Sequence, residues 1–483
     1  MRKFLLTLTA FVATLTASAE WTASFEPVND AEELKGIHTV TATDGSVYVS
    51  SAYNQGFAFA GKDITDPEGL TSACIVKYSA TGEELWAVSM EGAATVYALD
   101  ADTDGTLYVA GNFTDMVKYT GTDGVSAEMT CNETIYSAFV AKISANGVFE
   151  AVKVIAPAAD SDIEGSFLYY PETGDIHVTP QKIQVDGDNI YVAAFFGGDV
   201  AELSWEGSYV NVFDFMYMDN KSVGIFSLSK NDLSEAQSIV TVQNTESVSY
   251  DQFYPEAFSF VVENSIVYAG FIGFGNLTLT TANSAEKFTF ANTEEGQEHS
   301  FVLATIGETT TTNTFAAKHN KMYVPYNLFM EANGDNLIIG GTYYGELYFN
   351  TETTTENTDF FVASVKKDDN TTNWSYASES ESKAICMTIA ENVFVAATTG
   401  TYTVDLTTGE AIVAEQVISA ANGGTIVYTD DTKVCISSNG TPAGIESIIA
   451  TAQDGSSYNL AGQVVDGSYK GFVIVNGKKY LVK

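Results

Sequence analysis

Apolar and polar positions alternate with a period of two through most of the chain, in short runs broken by Gly, Asp and Asn. That period marks half-buried β-strands. Residues 73–113 show the pattern most fully. Ile75, Lys77 and Ser79 alternate with Val76 and Tyr78, and a turn follows at Ala80-Thr81-Gly82. A second strand begins near Trp86 and a third runs through Val96-Tyr97-Ala98-Leu99. Asp104-Gly105, a strong hairpin signal, then leads into Leu107-Tyr108-Val109. The pattern predicts four short antiparallel strands joined by tight turns.

This unit recurs. A turn followed by an apolar or aromatic triplet is found at Val47-Tyr48-Val49, Leu107-Tyr108-Val109, Ile190-Tyr191-Val192, Val267-Tyr268-Ala269, Leu337-Ile338-Ile339, Val393-Phe394-Val395 and Val434-Cys435-Ile436. The preceding strand motif, ACIVKY at 73–78, is echoed at 138–143, 224–228, 300–304 and 360–365, and more weakly at 402–406. A four-stranded unit cannot bury both faces alone, so neighbours must pack around an axis. The text of the unit resembles bacterial β-propeller repeats, and the resemblance covers roughly residues 21–440. It implies an all-β propeller, with seven four-stranded blades expected from the seven copies. It implies no activity, because function lies in sites grafted on folds.

Trp21-Thr22-Ala23-Ser24 matches Trp86-Ala87-Val88-Ser89 and Trp374-Ser375-Tyr376-Ala377, which are outermost strands in the unit. The chain is therefore expected to open with the last strand of its final blade, locking the ring shut. Thr-rich stretches at 309–314 and 351–358 read as exposed loops.

Three segments follow from the two ends. Residues 1–19 read as a secretory signal peptide, with Arg2 and Lys3, an apolar run and Ala17-Ser18-Ala19 before the cut. The propeller occupies 20–440. Residues 441–483 form a tail in which Asn476-Gly477 joins two alternating strands as a β-hairpin. The wording YNLAGQ, then KGFVIVNGKKYLVK, resembles the C-terminal tails of secreted Bacteroidota proteins and is similar to the end of type IX secretion sorting domains. The Pro-Asn-Pro opening of those domains is missing. A strand at 447–452 alternatively completes the seventh blade.

Charge narrows the partners. The formal net charge is −40, and Arg2 is the single arginine, within the leader. A polyanion without guanidinium groups lacks bidentate phosphate clamps and repels nucleic acid and anionic membranes. Neutral or cationic ligands, Ca²⁺ among them, are favoured. No apolar run beyond the leader approaches the ~18 residues of a membrane helix, so an exported monomer at the periplasm or cell surface is expected. Cys74, Cys131, Cys386 and Cys435 permit Cys74–Cys131 and Cys386–Cys435 bridges, or four free thiols.

Two candidate sites emerge. Asp100, Asp102 and Asp104, at alternate positions before Gly105, suit Ca²⁺, or simply make an acidic hairpin. Tyr169, Tyr170 and Glu172, then Phe253, Tyr254 and Glu256, then Tyr323 and Tyr326 lie in Tyr-Pro loops just ahead of three successive hairpins. Aromatic rings with nearby carboxylates suit a glycan or a protein segment, while loop packing with Pro fixing the turn is the plainer reading. Catalysis has little support: His38, His177, His299 and His319 form no close-spaced ligand pair, and no G-x-S-x-G elbow occurs. The first expectation is a non-catalytic binding propeller. A polysaccharide hydrolase or lyase, and a structural surface protein, are the alternatives.

Overall fold

The computed structural model describes most of residues 21–438 and four short strands between 457 and 482; the longer stretches outside the described residues are 1–20, 158–176, 212–221, 245–256, 320–326 and 439–456. The described residues form an all-β propeller. Its seven innermost strands are Lys35–Thr41, Ala94–Ala101, His177–Asp186, Ala257–Glu263, Asn327–Asn333, Ala384–Ile389 and Ala420–Asn422, which number blades I to VII. Each touches the next, and the seventh returns to the first, so the ring is closed.

Closure works as the repeated Trp motif implied. The N-terminal strand Trp21–Pro27 pairs antiparallel with Lys433–Ser438, in register Trp21 to Ser438 and Phe25 to Val434. Blade VII thus takes three strands from the C-terminal end and its outermost from the N-terminal end. Those four strands complete the blade without residues 447–452, which lie outside the described residues.

Two readings are corrected. The seventh repeat, Val434-Cys435-Ile436, is a third strand; the second strand of blade VII is Thr425–Asp430. Gly423-Gly424 ahead of Ile426-Val427-Tyr428 carries the hairpin signal that Asp430-Asp431 duplicates one strand later. The Thr-rich stretches are also strand rather than loop: Thr310–His319 is the outer strand of blade IV, and Glu352–Lys366 is the third strand of blade V. Threonine is β-branched and fits a half-exposed pleat as well as it fits a loop.

The core lies between blades. Along the second strand of blade II, Leu107 and Val109 pack toward blade I, while Tyr108 and Ala110 pack toward blade III. The period of two therefore divides one strand between two neighbours, and all of Leu107–Phe113 is buried. Two tyrosine hydroxyls bond across the seams: Tyr48 donates to the Gly105 carbonyl at 2.7 Å and Tyr108 to the Lys230 carbonyl at 3.0 Å.

A second device binds the blades at their outer edges. The link between second and third strands in blades I to V extends into a hairpin or a long strand pair, which adds to the outer strand of the preceding blade. Gly56–Phe59 joins Trp21–Pro27, Met116–Thr120 joins Glu84–Glu91, and Glu202–Trp205 joins Phe149–Pro157. Asn276–Thr281 joins Gln237–Asn244, and Asn336–Tyr348 reaches Thr310–His319. These inserts are thus edge covers. Blades VI and VII have short links at this point, so among the described residues nothing pairs with the outer edges of blade V (Thr372–Ala377) or blade VI (Ala411–Ala414).

Candidate functional site at the central channel

The innermost strands surround a channel of about 820 Å³, lined from all seven blades. Each innermost strand has one edge facing the axis, and its N–H and C=O groups there need partners. Polar side chains of adjacent blades supply them. Asp100 accepts from the Val185 N–H at 2.6 Å, joining blades II and III. Gln184 both donates to the Val262 carbonyl and accepts from its N–H, at 2.8 and 3.0 Å, joining III and IV. Glu331 accepts from the Ile389 N–H at 3.0 Å and Asn327 donates to the Ala384 carbonyl at 2.6 Å, joining V and VI. Asn422 accepts from the Thr41 N–H at 2.9 Å, joining VII and I.

Lys182 departs from this pattern. Its ammonium donates to the Met330 carbonyl at 2.6 Å, so it passes over blade IV to reach blade V. It lies within electrostatic reach of Glu331 and Asp100 and over the Phe260 ring at 5.6 Å. Burial lowers its pKa, opposed by the two carboxylates. Burial likewise raises Glu331 to about 7, although Lys182 and the Ile389 N–H favour its charged form. Asp100 rises to about 6 for the same reason, against its hydrogen bonds from Val185 and Ala101. His38, also on the channel wall, is held down at about 4 by burial and stays neutral.

The three aspartates that read as a Ca²⁺ loop have separate partners. Asp100 turns to the channel, Asp102 pairs with Lys230 at 2.8 Å, and Asp104 accepts from the Thr106 N–H within its own turn. Among the described residues no group of three His, Cys, Asp or Glu is placed to hold a metal ion. Tyr169, Tyr170, Glu172, Phe253, Tyr254, Glu256, Tyr323 and Tyr326 all lie outside the described residues. The strands on either side of them are described. Each loop runs from an outer strand to the next innermost strand: Phe149–Pro157 to His177–Asp186, Gln237–Asn244 to Ala257–Glu263, and Thr310–His319 to Asn327–Asn333. The described strand ends that flank these loops lie on the same rim of the ring as the ends joined by the links between second and third strands.

Lys182, Glu331 and Gln184 were not singled out in the sequence, and His38 was weighed there only as a metal ligand or catalytic group. Their signal is faint: charged and amide residues set among the apolar positions of an innermost strand, as in Gln181-Lys182-Ile183-Gln184-Val185.

No described element is a helix long and apolar enough to cross a membrane. None of the four cysteines is joined in a disulfide. No family model matches the chain, and no curated protein matches it. Solved structures are similar to it. Virginiamycin B lyase from Staphylococcus aureus matches at 8% identity and a TM-score of 0.32, over 73% of this chain and 98% of that one. A member of the DUF4221 family from Bacteroides vulgatus matches at 9% identity and 0.31, over 87% and 96%. Drosophila semaphorin 1b, extracellular domains 1–2, matches at 6% identity and 0.31, over 93% and 94%. These likenesses concern the fold alone.

Proposed function

We propose that the protein is an exported, non-catalytic binding propeller that takes a glycan or a protein segment on the rim where the crossovers enter the channel. One observation carries this reading: elaboration is confined to that rim and is greatest at adjacent blades. Nineteen residues separate Pro157 from His177 and twelve separate Asn244 from Ala257, against two between Glu91 and Ala94. The opposite rim has tight turns. Repeat proteins place insertions on the face that binds. The longest crossovers carry Tyr169, Tyr170, Phe253 and Tyr254 with Glu172 and Glu256, a composition suited to stacking on sugar faces and accepting hydroxyl or ammonium hydrogen bonds.

A second reading rests on Glu331. A channel carboxyl titrating at about 7 has the acidity that glycoside cleavage asks of a general acid. Its bond to the Ile389 N–H and its proximity to Lys182 favour a structural role.

The test incubates protein from Glu20 onward with a panel of polysaccharides and host glycoproteins, scoring both retention and released products. A Tyr170→Ala/Tyr254→Ala/Tyr326→Ala variant runs alongside. Retention lost in the variant, without products, supports the binding reading. Products that disappear in Glu331→Gln support the enzyme. Retention unchanged by the triple substitution sinks the rim site.

A further inference from the structure

Among the described residues, five of the seven outer edges carry a hairpin or strand from the next blade, and no described strand adds to the other two, which are adjacent. An open edge is a template for another strand. The edge of blade VI, Ala411–Ala414, carries none of the charges or prolines that protect such edges, and Ile412 within it is 52% exposed.

We propose that the C-terminal sheet of the same chain covers this edge, its outer strand Lys478–Val482 adding to Ala411–Ala414. Three observations select this occupant. First, the tail strands Ser457–Asn459, Val464–Val465, Gly471–Val475 and Lys478–Val482 form a sheet of their own, and Lys478–Val482 is its edge strand. Two unpaired edges thus belong to one molecule. Second, charge is complementary. Lys470, Lys478, Lys479 and Lys483 lie within the last fourteen residues, which contain no Asp or Glu, in a chain with 62 acidic residues. Glu410 and Glu415 flank the bare edge. A second propeller would instead bring a net charge of −40 against another −40. Third, the eighteen residues between Ser438 and Ser457 reach about 60 Å when extended, ample for passing from blade VII to its neighbour. The resulting contact would hold the tail beside the propeller instead of leaving it to hang from a tether.

The test uses the full mature chain. Zero-length carbodiimide cross-linking, read by mass spectrometry on the monomer band, is expected to join Glu410 or Glu415 to Lys478 or Lys479. Amide exchange over 411–414 is expected to be at least about tenfold slower in the wild type than in Lys478→Glu/Lys479→Glu, and to quicken in the wild type at high salt. That variant leaves every propeller strand untouched. Exchange that is equal in the two proteins, with no such cross-link, overturns the proposal. Cross-links confined to a dimer band, with protection that rises with protein concentration, also overturn it and assign the edge to a second copy.

Discussion

The indole of Trp86 occupies the space that a side chain on Gly147, in the next blade, would need. A Cβ on Gly147 would stand 2.9 Å from the indole Cδ2, while the indole N–H donates to the Ala145 carbonyl at 3.0 Å. Trp374 repeats the arrangement on Gly409, with its N–H to the Leu406 carbonyl at 2.9 Å. Trp21 repeats it on Gly82 across the closing seam, but its buried N–H has no partner among the described residues.

Gly147, Gly409 and Gly82 have φ of +85°, +73° and +81°. Gly147→Ala and Gly409→Ala therefore combine left-handed strain with a clash against an indole, and each is expected to cost about 2–3 kcal/mol. Urea midpoints measure this. Gly187→Ala, at φ +60° with nothing near its Cβ, should cost no more than about 1–2 kcal/mol.

The three tryptophans differ in a way that Phe substitution reveals. Trp374→Phe loses its hydrogen bond to the Leu406 carbonyl, at about 1–2 kcal/mol, and Trp86→Phe loses somewhat less, about 1 kcal/mol, because the Ala145 carbonyl keeps its bond from the Lys77 ammonium at 3.0 Å. Trp21→Phe removes an N–H that has no acceptor and should be nearly neutral. Equal losses in all three would show that the closing seam is bonded like the others.

Stability should respond to pH in opposite senses on the channel wall. Glu331 has its folded pKa raised from 4.5 to about 7, so its contribution is present below the unfolded value and is lost as pH rises through that window. His38 is lowered from 6.5 to about 4, so its contribution is present above 6.5 and is lost as pH falls toward 4. Glu331→Gln is expected to flatten the loss between pH 4.5 and 7, worth on the order of 2–3 kcal/mol. Chemical denaturation at half-unit pH intervals follows both.

Cys74 is fully buried, donates to the Ser51 carbonyl at 3.3 Å, and is pushed up to about 12 by desolvation. In native protein at pH 8 it should resist iodoacetamide until the fold opens, because the thiolate is the reactive species. Peptide mapping of timed alkylation checks this, and a non-reduced intact mass consistent with four thiols checks that no bridge joins the pairs the spacing permitted.

The blades were legible because burial on both faces leaves a repeated local text, as at Val47-Tyr48-Val49 and Leu107-Tyr108-Val109. Closure was legible because Trp21 sits in the same short motif as Trp86 and Trp374. The channel was not. Lys182 meets Met330 across 148 positions and Asp100 meets Val185 across 85, and bonds over such separations leave no period in the chain. The edge covers leave no clear mark for a related reason: residues 116–130 are largely polar, and it is pairing with the neighbouring blade that makes Met116–Thr120 a covering strand. Asp430-Asp431 misled because any acidic pair before an apolar triplet looks like the repeat.

The handing of each hairpin to the preceding blade changes what counts as a module. In blades I to V the inheritable piece is a blade together with the cover of its predecessor, so excising one blade leaves a stranger's edge bare and a hairpin with nowhere to lie. Among the described residues, blades VI and VII hand nothing back. Blade number can therefore drift by duplication or loss at that arc of the ring, while the other arc is locked by mutual dependence.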